Sequence, residues 1–471
     1  MIPLGEIGKW IGGGTPSKSN PHYWTNGRIP WVSPKDMKCA RIADAQDHIT
    51  EKAVKESSTN LIDAGSVLVV ARSGILQHTL PVAITDKQVA LNQDLKAVKP
   101  RTDIKPEYLF WALKTFERQI LHTCTKTGTT VQSLELPLFY RFQIPLPPLP
   151  DQHRIVAEIE KQFTRLDAGV TALKRVQASL KRYRASVLKA ACEGRLVPTE
   201  AELSKHNEVG RARRARRHPN GGLGETALPT NPDYETGAQL LTRILATRRQ
   251  NWQGRGKYKE PATLDTTNLP PLPEGWAWAT VEQLSNNVQY GLTASAIQRT
   301  SGVRFLRITD IQDRRVDWNT VPSCDASIED IADLKLLSGD IVFARTGATV
   351  GKSFLLKAPF PESVFASYLI RISPSTDFLS TWLHIFFQSP DYWKQIHESS
   401  VGIGQPNVNG TKLQSLIVPL PPLLEQTRIV TEVERCLSII DELEPQLVTM
   451  HSRATRLRQS ILQQTVFSHE Q

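Results

Sequence analysis

The chain has 471 residues, 40% apolar and 22% charged. That balance excludes a wholly disordered chain and leaves material for several cores, roughly two to four domains of about 100–200 residues each. The net charge of +10 favours an anionic partner such as nucleic acid, or serves solubility.

The opening MIPLGEIGKW lacks the charged stretch and apolar run of a signal peptide. No run of 18 or more apolar residues predicts a membrane span. Gly12-Gly13-Gly14 precedes Thr15-Pro16 without the lysine and helix of a phosphate loop. RIPWVSPKDM (28–37) and LVVARSG (68–74) each read as a short strand running into a polar turn. YLFWALKTFERQIL (108–121) has helical apolar spacing. IPLPPLPDQHRIVAEIE (144–160) is an extended proline-rich segment that turns into a helix, with Asp151 placed where the helix dipole favours an acid.

Apolar residues then fall at Ile159, Phe163, Leu166, Val170, Leu173, Val176, Leu180, Tyr183 and Val187. The spacing of mostly 4,3,4,3 is that of a coiled-coil seam. A straight helix over 151–193 would be roughly 60–65 Å long. Residues 196–272 follow, with RARRARR (211–217) and proline-rich NLPPLPEGW (268–276). They read as an exposed connector with one helical patch over 235–252. NPDY (231–234) lacks the second proline of an amino-methyltransferase loop and is taken as chance.

Then the chain repeats itself. VPLPPLLEQTRIVTEVE (418–434) returns the first proline block, so that Arg154 becomes Arg428, 274 residues on. Such a period is domain duplication, not a solenoid. VRFLRITDIQD (303–313) stands where RIPWVSPKDM stood. IVFARTG (341–347) resembles LVVARSG at an offset of 273, which predicts an insertion or deletion between the blocks. FLSTWLHIFFQSPDYWKQI (378–396) is again helix-like. The second seam is Val433, Leu437, Ile440, Glu444, Leu447, Met450, Ala454, Leu457 and Ile461, with Leu443 standing in for Glu444 and Pro445 predicting a kink or a shorter helix. The two stripes suit each other as partners, or each helix packs on its own domain.

No catalytic centre is legible. The eleven histidines form no HExxH, and no paired-acid pattern suggests a nuclease metal site. The five cysteines are scattered without a CxxC, which fits a reducing cytoplasm and argues against disulfides or a cysteine-zinc site. The domain bodies offer polar, basic and aromatic turn residues instead. In the first half these are Arg28, Trp31, Ser33, Lys35, Arg72, Ser73, Gln77, Lys126, Thr129 and Gln132. In the second they are Arg304, Arg307, Arg314, Arg345, Thr346, Gln405 and Asn407. Such side chains pair with base edges and phosphates; equally they are ordinary surface groups. Arg72 and Arg345, each between an apolar strand and Ser/Thr-Gly, either meet DNA or order their turns.

Taken together, the proline blocks with their Gln-x-Arg-Ile-Val, the long helices, the turns at 127–134 and 401–408, and GRLVPTEAEL (194–203) with LPEGWAWATVEQL (272–284) resemble the specificity subunit of type I restriction-modification systems. The resemblance implies an α+β, pseudo-two-fold protein. Target recognition domains 1–148 and 273–420 would be held apart by spacer helices 149–195 and 421–471, packed antiparallel as a coiled coil, with 196–272 as connector. It implies a cytoplasmic, non-catalytic chain that reads split double-stranded DNA. Two methyltransferase subunits would bring S-adenosylmethionine, and motor-nuclease subunits ATP and magnesium. A protein-only coiled-coil scaffold and a fused DNA-modifying enzyme are the competing readings. Leu424 in place of Pro150, and Pro445, depart from the pattern.

Overall fold

The computed structural model describes residues 1–126, 131–205, 234–252, 256–298, 302–312, 314–325, 331–375, 380–398 and 408–467. The chain divides into two compact units, Met1–Val176 with Gln446–Gln471, and Gln177–Pro445.

In the first unit, β1 (Ile2–Pro3), β2 (Gly8–Gly12), β3 (Ile29–Val32), β4 (Arg41–Ile42), β5 (Asp47–Ile49), helix α1 (Glu51–Glu56), β6 (Leu61–Ile62), β7 (Val67–Val70), β8 (Val82–Thr85), β9 (Val89–Leu91) and β10 (Leu95–Pro100) come first. Helices α2 (Pro106–Thr115), α3 (Glu117–Cys124) and α4 (Leu136–Arg141) follow, then β11 (Gln143–Ile144) and the long α5 (Leu149–Cys192). One sheet is ordered β2-β10-β7-β8-β4 and the other β5-β3-β9-β6. The strands β7, β8 and β9 are buried throughout, which is why they read as apolar runs and not as alternation.

The second unit contains α6 (Gly237–Gln250), β12 (Ala277–Thr280), α7 (Val281–Leu284), β13 (Ser285–Tyr290), β14 (Ala296–Ile297), β15 (Arg304–Leu306), β16 (Ile311–Gln312), β17 (Arg315–Val316), β18 (Ser323–Cys324), β19 (Ile341–Ala344), β20 (Ser353–Leu355), β21 (Ser363–Phe365) and β22 (Leu369–Pro374). Helices α8 (Ser380–Phe386), α9 (Pro390–Glu398) and α10 (Gly410–Gln414), β23 (Ile417–Leu420) and the long α11 (Leu423–Phe467) as far as Pro445 complete it. Its two larger sheets are β13-β22-β19-β20 and β14-β18-β15-β21.

The two domain bodies share one backbone plan although their sequences diverge. Leu95 pairs with Val70 in the first, and Leu369 with Ala344 in the second. Trp31 pairs with Ala90, and Phe305 with Val364, both in parallel. Each residue lies 274 positions from its counterpart, the offset of the proline blocks. The insertion inferred from the 273-residue offset of the two Ala-Arg motifs is therefore corrected. No residue is gained between the blocks; the arginine itself has slipped by one place past the strand end.

The parts that the two proline blocks share have a physical use. Tyr108 Oη donates to the Pro145 carbonyl at 2.9 Å, and Trp382 Nε1 to the Pro419 carbonyl at 3.2 Å. Gln152 and Gln426, both fully buried, donate to the Pro147 and Pro421 carbonyls at 2.9 and 2.8 Å. The extended proline segment cannot join a ladder fully, so buried side chains satisfy its carbonyls and fix where each long helix begins.

Each unit takes a helix end from the other copy. In the first, Ile461, Leu462 and Val466 share a core with Ile155, Val156, Ile159 and Phe163. Arg458 lies over the Phe163 ring at 4.6 Å and pairs with Asp167 at 2.7 Å. In the second, Val187, Leu188, Ala191 and Cys192 share a core with Ile429, Val433 and Cys436, and Arg184 pairs with Asp441. Asp167 and Asp441, and Arg184 and Arg458, are again 274 apart. The two helices run antiparallel within each unit, as expected. Seam residues Leu166, Val170, Leu173, Leu180, Leu437 and Leu447 are half-buried and Ile440 is buried. Leu457 is 50% exposed, because the apolar face at that end passes through Ile461 and Leu462, so it leaves the seam. Leu443 also stays exposed while Glu444 is half-buried against Arg314, which reverses the expected substitution. Pro445 lies inside α11 without ending it.

The connector is not simply exposed. Leu240 and Ile244 of α6 are fully buried, with Trp276, in the second core. A capping box at Thr236 and Gln239 starts α6. Glu425 at the start of α11 accepts from the Glu200 amide at 3.1 Å and Trp276 Nε1 at 2.9 Å, and burial pushes its carboxyl above the usual range. Arg428 binds Glu200 and the Pro198 carbonyl. The described connector thus wraps the start of the second helix. The arginine run 211–217 and most of NPDY lie outside the described residues.

Candidate nucleic-acid interface

In each domain the ends of five strands meet at one edge. In the first, β2 and β7 end there, β10 begins there, and β3 and β9 end beside them in register. Gly13 permits the meeting: a Cβ there would lie 2.1 Å from the Asn92 carbonyl oxygen. Its counterpart Gly291 would place a Cβ 2.3 Å from the carbonyls of Phe365 and Ala366. The triple glycine is thus a close backbone approach.

This edge gathers many of the sequence candidates. Ser73 N donates to the Gln132 carbonyl at 3.0 Å, and Lys126 N to the Ser133 carbonyl at 3.0 Å. Arg72 bridges Ser133, and its guanidinium pairs with Asp94 at 2.9 Å. Gln77 and Lys35 are exposed on neighbouring turns, and Arg28 is exposed at the other end of β3. Among the described residues no ion pair engages Arg28, Lys35 or Lys126. Thr129 lies outside the described residues.

Two candidates are corrected here. Trp31 is buried, 4% exposed; its Nε1 donates to the Gly14 carbonyl at 3.0 Å and its ring meets Trp24 edge-on. Ser33 is buried too, and its amide and hydroxyl both donate to Asp36 at 2.9 Å. Both build the turn from inside and are not surface side chains.

In the second domain Arg307 occupies the place of Ser33 and Asp310 that of Asp36. The Arg307 amide donates to Asp310 at 2.8 Å, and its guanidinium pairs with the same carboxylate at 2.7 Å. Arg304 donates to the Val321 carbonyl. Arg314, at a left-handed φ of 61°, pairs with Asp441 at 3.0 Å and Glu444 at 3.5 Å of α11. These arginines are spent on the fold as it stands, Arg314 as a strap from the β16–β17 turn to the long helix. Arg345 and Thr346 follow β19 at the edge, and Arg345 lies over the Tyr290 ring at 5.0 Å. Gln405 and Asn407 lie outside the described residues. Tyr290 and Tyr368, 42% and 64% exposed, belong to this edge and were not foreseen. Their signal was available: two tyrosines at strand ends in a chain with nine.

Among the described residues no three His, Cys, Asp or Glu side chains converge as a metal would need, and no helix is long and apolar enough to cross a membrane. The buried titratable groups serve packing. Desolvation pushes the Cys192 thiol up to about 12 and His384 down to about 4.

A duplicated α+β body with polar turns at one edge, each copy joined to a long helix, defines a protein built from two copies of one domain. Residues 1–178 and 302–447 match the family described as type I restriction modification DNA specificity domain, and the chain belongs to that family. It is 45% identical over 168 residues to the type I restriction enzyme EcoR124I/EcoR124II specificity subunit of Escherichia coli, covering 36% of this chain and 41% of that protein. It is 24% identical over 379 residues to the type I restriction enzyme EcoBI specificity subunit of Escherichia coli, covering 79% and 67%. The first match spans less than half of that relative's length. A solved structure, described as the structural basis of complex assembly and conformational transition of the type I R-M system, aligns with a TM-score of 0.62 over 99% of this chain and 96% of its own. At 16% identity it shares the fold.

Proposed function

We propose that this chain is the non-catalytic DNA-recognition subunit of a type I restriction-modification complex, acting in the cytoplasm. Each α+β body reads one part of a split duplex target through the turns at its strand-end edge. The long helices set the unread spacer and dock two methyltransferase subunits. S-adenosylmethionine enters with those subunits, ATP and magnesium with the motor-nuclease subunits. The carrying observation is the family match in both copies, joined to bodies that repeat strand register while differing in edge residues. Similar frames with different edges fit two different half-sites. Two modest interfaces on a stiff spacer gain affinity through effective concentration when the spacing fits.

The test is expression with the cognate methyltransferase subunit in a host without adenine methylation, followed by sequencing of modified bases. Methylation at one bipartite motif is the expected result. Methylation or cleavage by the isolated chain, or modification without a split motif, would overturn the reading.

A further inference from the structure

The arginines that follow β7 and β19 look equivalent in sequence, but the structure separates them. By strand register, the counterpart of Arg345 is Ala71. The Ala71 amide donates to the Asp94 carbonyl at 2.7 Å, and the Arg345 amide to the Tyr368 carbonyl at 3.0 Å. The Ala71 carbonyl accepts from Leu134 at 2.8 Å, and the Arg345 carbonyl from Val408 at 3.2 Å. The turn is therefore made by the backbone, and an alanine makes it equally well in the first domain. The Arg345 side chain is not what orders it.

That side chain also lacks the partner its sequence relative has. Arg72 is neutralised by Asp94; at the position of Asp94 the second domain carries Tyr368, 64% exposed. Among the described residues no carboxylate pairs with Arg345, and its buried Nε has no hydrogen-bond partner. Arg304, Arg307, Arg314 and Arg371, in the same unit, all have acceptors. The guanidinium is nevertheless held in place. It lies over the ring of Tyr290, whose Oη accepts from the Gly410 amide at 2.9 Å. The equivalent of Tyr290 in the first domain is Gly12, which offers no ring.

A planar fork, oriented by stacking and without an acceptor among the described residues, at an edge with an exposed tyrosine, suits a ligand that supplies two acceptors in one plane. On duplex DNA that pattern is the O6 and N7 of guanine in the major groove. Resting on the DNA-recognition reading above, we infer that Arg345 reads a guanine in the half-site of the second domain, with Tyr290 as its positioning residue. Arg72, held by Asp94, plays no matching part in the first.

The test uses the complex with its methyltransferase subunits. Binding is measured on duplexes carrying every base at each position of both half-sites, at two salt concentrations. R345A keeps the turn, as Ala71 does, and an unchanged melting temperature checks this. The expected result is a loss of about 10- to 100-fold on the preferred duplex, confined to one G·C pair of the second half-site, which becomes degenerate. R345K, unable to form the paired contact, should relax the same position. R72A should leave the first half-site's preferences intact. Uniform weakening across all sequences with a shallower salt dependence would mean a phosphate contact and overturn the base reading. Unchanged preferences in R345A would overturn it while leaving the subunit a DNA reader. A wild-type complex that selects no split sequence would bring down the proposed function itself.

Discussion

Replacing Asp340 by alanine isolates the cost of a buried charge in the second domain. Asp340 and Arg371 are 4% and 6% exposed, with Nη1 and Oδ2 3.6 Å apart. Asp340 also accepts from the Leu337 amide at 2.9 Å and Ser373 Oγ at 2.7 Å. Desolvation pushes its carboxyl up and the Arg371 guanidinium down, so both charges are held at a cost. Removing one partner from such a pair costs about 3–5 kcal/mol, because the other charge stays buried. Arg371 keeps the carbonyls of Lys335 at 2.6 Å and Asp333 at 3.0 Å, which favours the lower end. At about 2–4 °C per kcal/mol for a unit of this size, D340A should melt roughly 6–12 °C lower, by calorimetry or circular dichroism. R371L should behave differently. The remaining carboxyl, raised further above its unfolded value, takes up a proton, so the loss should be small near pH 4 and grow as the pH rises. The double variant D340A/R371L should be more stable than D340A alone. The first domain supports this, since Ser66 and Ala97 fill the equivalent places without charge. A D340A loss below about 1 kcal/mol, or a double variant that loses the sum of the singles, would refute the reasoning.

Three further outcomes follow from buried groups. His384, pushed down to about 4 chiefly by burial and against the backbone bond at Ser353, is neutral when folded; since the unfolded chain binds the proton more tightly, stability should hold above about pH 6.5 and fall by up to roughly 3 kcal/mol toward pH 4, and H384L should flatten that slope in urea titrations. Q152L should cost about 3 kcal/mol or more by chemical denaturation, since the Asp103 and Pro147 carbonyls and the Lys105 amide lose their partner together, whereas Q426L, which gives up the Pro421 bond, should cost less. Thiol titration of the native chain should label exposed Cys39 quickly and leave Cys192, raised to about 12, unreacted until the protein unfolds.

The duplication, the helix starts and the extent of both long helices were legible because each rests on local chemistry: prolines that stop a strand, a glutamine that clamps them, apolar residues at helical spacing. Register was not legible. The Ala-Arg pairs invited alignment by residue type, whereas the strands align Arg345 with Ala71, and only the ladder reveals it. Trp31 and Ser33 looked like surface groups because a polar turn follows them, yet a strand buried on both faces carries its apolar pattern to the last residue. The acids opposite Arg72, Arg307 and Arg314 lie 22, 3 and 127 residues away; of these only the Arg307 partner falls within one turn of chain, and no periodicity marks the others. The connector seemed exposed because its composition is polar, yet apolar residues within it, Leu240 and Ile244 above all, pack into the second core.

The exchange of helix ends has a consequence for synthesis. The second unit is one continuous stretch and possesses all its residues once position 445 has left the ribosome. The first unit is split between residues 1–176 and 446–471, and its core waits for Ile461, Leu462 and Val466. The domain translated first is therefore the last to be completed, and until then the apolar flank of Ile155, Ile159 and Phe163 lacks its cover. A stop codon between positions 446 and 461 would strike the domain built from residues 1–176, far in sequence from the lesion.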